Sequence, residues 1–273
     1  MEKNTASTTA KAQLRLLGYF FYCDKKKFCT FDLTFLILNS TQMMKRFFIA
    51  SIMLWNLLFG QDAVAQDWAN KTRYAQANVE LLSHGEDPLR VVLMGNSITE
   101  FWMETHPQFF RDNNLVGRGI SGQVSSQMLV RFRQDVINLK PRIVVINCGT
   151  NDIAENNGPY DEDITLDNIM SMTELALLND IEVVLTSVLP CDEFCWNPRV
   201  VDVVGKITRL NSRIKDYASS RAHVHYLDYY PSMTLDGQSM NKSYTEDGVH
   251  PNARGYDTME SRLIEMLEQI VRD

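Results

Sequence analysis

The stretch Leu89-Arg90-Val91-Val92-Leu93-Met94-Gly95-Asn96-Ser97-Ile98-Thr99 joins a short aliphatic run to a glycine, an amide and two hydroxyls. Such a run, ended by Gly95, reads as a buried strand over residues 89–94 that turns sharply into a helix. Ser97 then stands on the turn with its hydroxyl above the end of the sheet. The N-terminus of the helix there favours developing negative charge. Two readings of Ser97 stay open from this stretch alone: a nucleophile, or an N-cap serine, since serine is favoured at that position for ordinary capping. The pattern G-x-S-x-T lacks the second glycine of the α/β-hydrolase elbow, which counts against that fold.

Aliphatic or β-branched runs recur at residues 115–119, 143–148, 183–188 and 224–228. Between them lie longer stretches with apolar residues at helical spacing, at 125–139, 164–178, 200–217 and 256–271, and residues 66–82 read as a further helix packed outside the first strand. Alternation of this kind predicts an α/β domain with a five-stranded parallel sheet covered by helices on both faces. Ligands of such sheets bind at the carboxyl ends of the strands, so the chemistry is expected there.

The second run leads into Gly117-Arg118-Gly119-Ile120-Ser121-Gly122. These residues match G-x-G-x-x-G letter for letter. However, the acidic residue that a dinucleotide site needs at the end of the following strand is replaced by Asn147 and Cys148. The glycines therefore read as a tight turn bringing backbone N–H groups close to a ligand, and no cofactor is expected. The third run ends in Gly149-Thr150-Asn151-Asp152. Asn151 offers either a neutral donor for an oxyanion or a turn-building amide. Near the C-terminus, Asp247-Gly248-Val249-His250-Pro251 sets a carboxylate three residues before one of only five histidines. That spacing lets Asp247 reach the ring Nδ1–H, fix the tautomer and stabilise the imidazolium formed when Nε2 takes a proton. A plain surface turn is the alternative.

The ends of the chain differ in character. Met44-Lys45-Arg46, an apolar run over 47–60 and Ala63-Val64-Ala65 make the basic start, core and A-x-A site of a secretory signal peptide. The run is shorter than the roughly 20 residues a membrane span needs. We therefore expect residues 43–65 to be a signal peptide, residues 1–42 an upstream extension from a misassigned start, and residues 66–273 the functional domain, secreted or periplasmic. Without residues 1–65 the chain carries 19 Lys and Arg against 30 Asp and Glu, a net charge of −11. That acidity argues against a nucleic-acid partner. Cys148, Cys191 and Cys195 remain. They complete no zinc pattern, so no metal is expected, and Cys191 and Cys195 could pair if oxidised.

The blocks Gly-Asn-Ser-Ile with Ser97, Gly-Ile-Ser-Gly with Gly122, Gly-Thr-Asn-Asp with Asn151 and Asp-Gly-Val-His with Asp247 and His250 occur in order. Over residues 88–272 the sequence resembles the SGNH hydrolases, also called the GDSL esterase/lipase family. The resemblance implies a flavodoxin-like three-layer α/β/α fold and a metal-independent serine esterase. It also implies catalysis by Ser97, His250 and Asp247, with an oxyanion hole made by the Ser97 and Gly122 N–H groups and the Asn151 side chain. One residue departs from the family pattern, Asn96 where Asp is usual; the turn should hold and activity survive. The stretch 189–199 after the fourth run is expected to rim the site; Trp196 there is open either to stacking on a sugar ring or to loop packing against the scaffold, and Arg199 to pairing with an acid or a phosphate. Export and acidity favour an acetylated carbohydrate as substrate. A lysophospholipase or platelet-activating-factor-acetylhydrolase-like enzyme is the alternative, as is a catalytically weak carbohydrate-binding protein on the same fold.

Overall fold

In the strands of a parallel sheet, alternate residues face opposite sides, and both sides must be covered when both are apolar. The computed structural model describes residues 67–272 and has this arrangement; the expectations for residues 1–42 and 43–65 fall outside them. In chain order the elements are α1 (Ala75–Ser83), β1 (Val91–Gly95), α2 (Ser97–Thr105), α3 (Pro107–Asp112), β2 (Leu115–Gly119), α4 (Ser125–Asp135), β3 (Ile143–Ile146), α5 (Thr150–Ile153), α6 (Glu162–Leu177), β4 (Glu182–Thr186), α7 (Val203–Ser219), β5 (Val224–Leu227), α8 (Tyr230–Met233) and α9 (Ala253–Arg272). The five strands form one parallel sheet in the order β2-β1-β3-β4-β5. On one face Val92, Met94, Val144, Ile146, Val183 and Leu185 pack against Met128, Phe132, Ile169, Met172, Ile207 and Leu210 of α4, α6 and α7. On the other, Val91, Leu93, Val145 and Val184 pack against Ile98, Trp102, Phe110, Met259 and Leu263 of α2, α3 and α9. The molecule is therefore the expected three-layer α/β/α sandwich.

This strand order has its switch point between β1 and β3, where the chain stops adding strands on one side and begins on the other; a crevice opens there at the carboxyl ends. Ser97 follows β1 and Asn151 follows β3, so both stand at that crevice.

Several boundaries move from their expected places for local reasons. Residues 67–82 do not make one helix. The Asn70 N–H bonds the Asp67 carbonyl at 2.8 Å, Asp67 Oδ2 accepts from the Thr72 N–H, and Asn70 adopts a left-handed φ of 49°. These turns delay α1 to Ala75. The helix expected over 125–139 ends at Asp135, because Val136 leaves helical geometry before a 3-10 turn over Ile137–Leu139. Strand β4 stops at Thr186; the Val188 N–H turns to the Asn211 side chain at 2.7 Å.

Candidate active site

The turn after β1 is held by its amide. Asn96 Oδ1 accepts from the Ile98 N–H at 3.0 Å and caps α2, so Asn96 is the N-cap and Ser97 the first helical residue. The capping reading of Ser97 is thereby displaced by its neighbour. The Asn96 Nδ2 group, buried with its residue only 1% exposed, has no partner among the described residues. Gly119, at the end of β2, lets this turn approach closely: a Cβ there would lie 2.6 Å from the Asn96 carbonyl oxygen and 2.8 Å from the Thr99 carbonyl carbon.

Ser97 Oγ lies 2.9 Å from His250 Nε2, across 153 residues of sequence. His250 Nδ1 in turn lies 2.6 Å from Asp247 Oδ2. The other carboxylate oxygen accepts the Val249 N–H at 2.9 Å, the His250 N–H at 2.8 Å and the Thr245 hydroxyl at 3.2 Å. The turn thus fixes its carboxylate before the ring is added. Burial works to raise the Asp247 pKa, but the His250 N–H, the imidazole and the Val249 N–H outweigh it and hold the group at about 2. A charged Asp247 keeps the proton on Nδ1 and leaves Nε2 able to take one from a hydroxyl.

The other two oxyanion candidates, Gly122 and Asn151, follow β2 and β3, the strands on either side of β1. Gly122 has φ +76°, a conformation that favours glycine, and a Cβ there would meet nothing within 4 Å, so its surroundings are open. The amide of Asn151 is oriented at both ends. Its Oδ1 accepts from Asn156 Nδ2 at 2.7 Å and its Nδ2 donates to the Gln123 carbonyl at 3.0 Å. Its second N–H has no protein acceptor among the described residues.

Some of the residues framing this group escape sequence reasoning. Phe101, one helical turn after Ser97, brings its ring centroid to 5.2 Å from that of His250, and the Trp196 ring stands at 6.2 Å. Both are exposed, at 37% and 43%. Spacing i, i+4 from Ser97 was the available signal for Phe101. Trp196 is held there by donation from Nε1 to Asn156 Oδ1 at 2.9 Å. Arg199 is exposed and forms no hydrogen bond or ion pair among the described residues; no contact brings it to this group. Glu100, also on α2, pins the loop before Gly122: Oε2 accepts the Ser121 N–H at 2.7 Å and its hydroxyl at 2.6 Å, while Oε1 pairs with Arg73. Although burial alone would raise the Glu100 pKa, these partners lower it. Asp152 anchors the start of α4 by accepting the Ser125 N–H and hydroxyl, and burial raises its pKa.

Cys191 and Cys195 are separate thiols. Cys191 Sγ donates to the Glu193 carbonyl at 2.9 Å, and burial pushes its pKa up to about 12. One group among the described residues brings possible metal ligands together, His106, Asp257 and Glu260, with ligand atoms within 4.8 Å of one another. Hydrogen bonds already account for it: His106 Nδ1 at 2.6 Å and Trp102 Nε1 at 3.0 Å both meet Glu260 Oε1.

A hydroxyl, a base with its orienting carboxylate and donors at three strand ends are what acyl transfer requires, and comparison with known proteins agrees. Residues 93–258 match the model of the GDSL-like Lipase/Acylhydrolase family. A crystal structure from Bacteroides fragilis NCTC 9343 is 52% identical, covers 75% of this chain and 99% of its own, and superposes with a TM-score of 0.72. A GDSL-like lipase from Bacteroides thetaiotaomicron VPI-5482 is 50% identical over 74% of this chain and 98% of its own, with a TM-score of 0.70. Among curated proteins, the human isoamyl acetate-hydrolyzing esterase 1 homolog is 28% identical over 67% of this chain and 82% of its own length. The chain belongs to the GDSL-like lipase/acylhydrolase family, the SGNH hydrolases, as an esterase-type hydrolase.

Proposed function

We propose that the protein is a secreted serine esterase that removes an acetyl group from an esterified carbohydrate. The observation that carries the catalytic part is the chain Ser97 Oγ–His250 Nε2–Asp247, at 2.9 and 2.6 Å. Ser97 Oγ attacks the acyl carbon while His250 Nε2 accepts its proton. The carbonyl oxygen, now negative, is held by the Ser97 and Gly122 N–H groups and Asn151 Nδ2. Collapse of this intermediate expels the alcohol, which takes the proton from His250 and leaves an acetyl-Ser97. Water then gives a proton to His250 and attacks the acyl carbon, and collapse of this second intermediate releases the acid while His250 returns the proton to Ser97 Oγ. No step requires a metal or cofactor.

Acetate as the acid rests on similarity to proteins named for isoamyl acetate hydrolysis. A carbohydrate as the alcohol rests on Trp196, an exposed indole beside the base suited to stacking on a sugar ring. Export rests on the basic, apolar and A-x-A pattern of residues 44–65. Asn96 caps α2 without a charge, so we expect it to be compatible with turnover.

Hydrolysis of p-nitrophenyl acetate by the wild type and Ser97→Ala tests the mechanism; equal rates would overturn it and favour a binding protein. Acetate released from acetylated glycans, set against fatty acid released from lysophospholipids, tests the substrate, and fatty acid as the main product would overturn the carbohydrate assignment. N-terminal sequencing of the exported protein should begin at Gln66.

A further inference from the structure

One buried guanidinium bonds the segments that carry Ser97 and Gly122 and reaches Asn151 through Gln123. Arg131, on α4, is 0% exposed. Its Nη2 donates to the Gly95 carbonyl at 3.0 Å and to the Arg118 carbonyl at 2.9 Å, which are the ends of β1 and β2. Its Nε donates to Gln123 Oε1 at 2.6 Å, and its Nη1 pairs with Asp135 at 3.0 Å. Gln123 is 4% exposed and fixed at its other polar atoms too: Nε2 donates to the Ala69 carbonyl at 2.7 Å, and its own carbonyl accepts Asn151 Nδ2 at 3.0 Å. Ser97 lies two residues beyond Gly95, Gly122 lies one residue before Gln123, and Asn151 bonds Gln123 directly.

Arg131 offers five N–H donors in a rigid fork, and four acceptors here are drawn to one point. Two of those acceptors are carbonyls at the ends of β1 and β2, one is the loop amide of Gln123 and one the carboxylate of Asp135 on α4. A carboxylate at Asp135 balances the charge, so a buried cation survives where burial alone lowers its pKa. A guanidinium buried only for stability needs no glutamine. Here the glutamine passes the anchor on to the loop that carries Gly122 and to the amide of Asn151.

We propose that Arg131 and Gln123 are positioning residues that together set the oxyanion hole, holding the Gly122 N–H and the Asn151 amide at the height of the Ser97 N–H. They touch no substrate. Their effect should fall on the transition state, because an oxyanion exists only after attack. This proposal rests on the serine esterase reading above.

Gln123→Met keeps the side-chain length and removes both of its hydrogen bonds with little change in volume, so it should fold. With p-nitrophenyl acetate we expect kcat to fall about 10- to 100-fold while KM stays within about twofold, the pattern of a lost transition-state contact. The melting temperature and circular dichroism spectrum report the folded fraction independently. Combined with Asn151→Ala, the Gln123→Met loss should be far less than multiplicative, since both act through the same amide. Arg131→Lys, which retains the charge beside Asp135, should reproduce the kcat loss. A Gln123→Met enzyme with kcat within about threefold of wild type, a matching rise in KM, or fully multiplicative losses with Asn151→Ala would overturn the proposal. In that case wild-type hydrolysis would still depend on Ser97; hydrolysis indifferent to Ser97→Ala would overturn the esterase reading and this proposal together.

Discussion

Two histidines hold a carboxylate oxygen at the same distance. His250 Nδ1 meets Asp247 and His106 Nδ1 meets Glu260, each at 2.6 Å. Both rings also pack against aromatic neighbours, His250 against Phe101 and Trp196 and His106 against Tyr256. What separates them is the rest of each network. His250 directs its second nitrogen at the Ser97 hydroxyl, at the carboxyl end of β1. His106 stands at the far end of α2, where Trp102 shares the same Glu260 oxygen and stacks on Tyr256, whose hydroxyl bonds the Ile98 carbonyl. The second pair fastens α2 to α9. A histidine–carboxylate contact is therefore common hardware, and the hydroxyl it faces decides its use.

Substitutions can break that distinction. Ser97→Ala or His250→Ala should lower kcat by about 10⁴-fold or more, whereas His106→Ala should leave kcat/KM within about threefold; comparable losses at the two histidines would erase the contrast. Asp247→Asn should cost roughly 10³- to 10⁴-fold in kcat through the wrong tautomer, measured with p-nitrophenyl acetate, while Glu260→Gln should leave kcat nearly unchanged. Asn151→Ala removes one oxyanion donor and should cost about 10²- to 10³-fold in kcat.

The smaller effects lie in stability. Glu260→Gln should destabilise by about 1–2 kcal/mol through weakened bonds to His106 and Trp102, read as a melting temperature roughly 2–8 °C lower. Asp247 has its folded pKa depressed to about 2, below the value of roughly 3.9 for an unfolded Asp. Its contribution is therefore fully present above about pH 4 and lost as pH falls through about 2. Melting curves of wild type and Asp247→Asn should converge over that window; a constant gap between them would contradict the assignment.

The same contrast explains what could be read from the chain. Asp247 and His250 are three residues apart, and the turn between them carries the whole interaction, so the sequence displays it. His106 and Glu260 are separated by 154 residues and meet only because α2 and α9 pack on one face of the sheet. The five strands were legible because aliphatic runs must be buried wherever they occur. Their ends were less so: Asn70 and Val136 altered backbone geometry through local turns that hydrophobic periodicity does not register. Likewise Gly122 and Asn151 stood out by their motifs. Gln123 and Arg131, which hold them, look like an ordinary loop glutamine and a charged helical residue until the fold brings Gly95, Arg118 and Asn151 around them.

Hydrolysis at this site depends on Ser97 being the nucleophile. Treatment with a fluorophosphonate, followed by peptide mass spectrometry, tests it most directly, since the serine that attacks phosphorus stays covalently labelled. A single adduct on Ser97 is expected, with loss of esterase activity in proportion to labelling and no adduct in Ser97→Ala. Labelling of another residue, or full hydrolysis by Ser97→Ala, would contradict it.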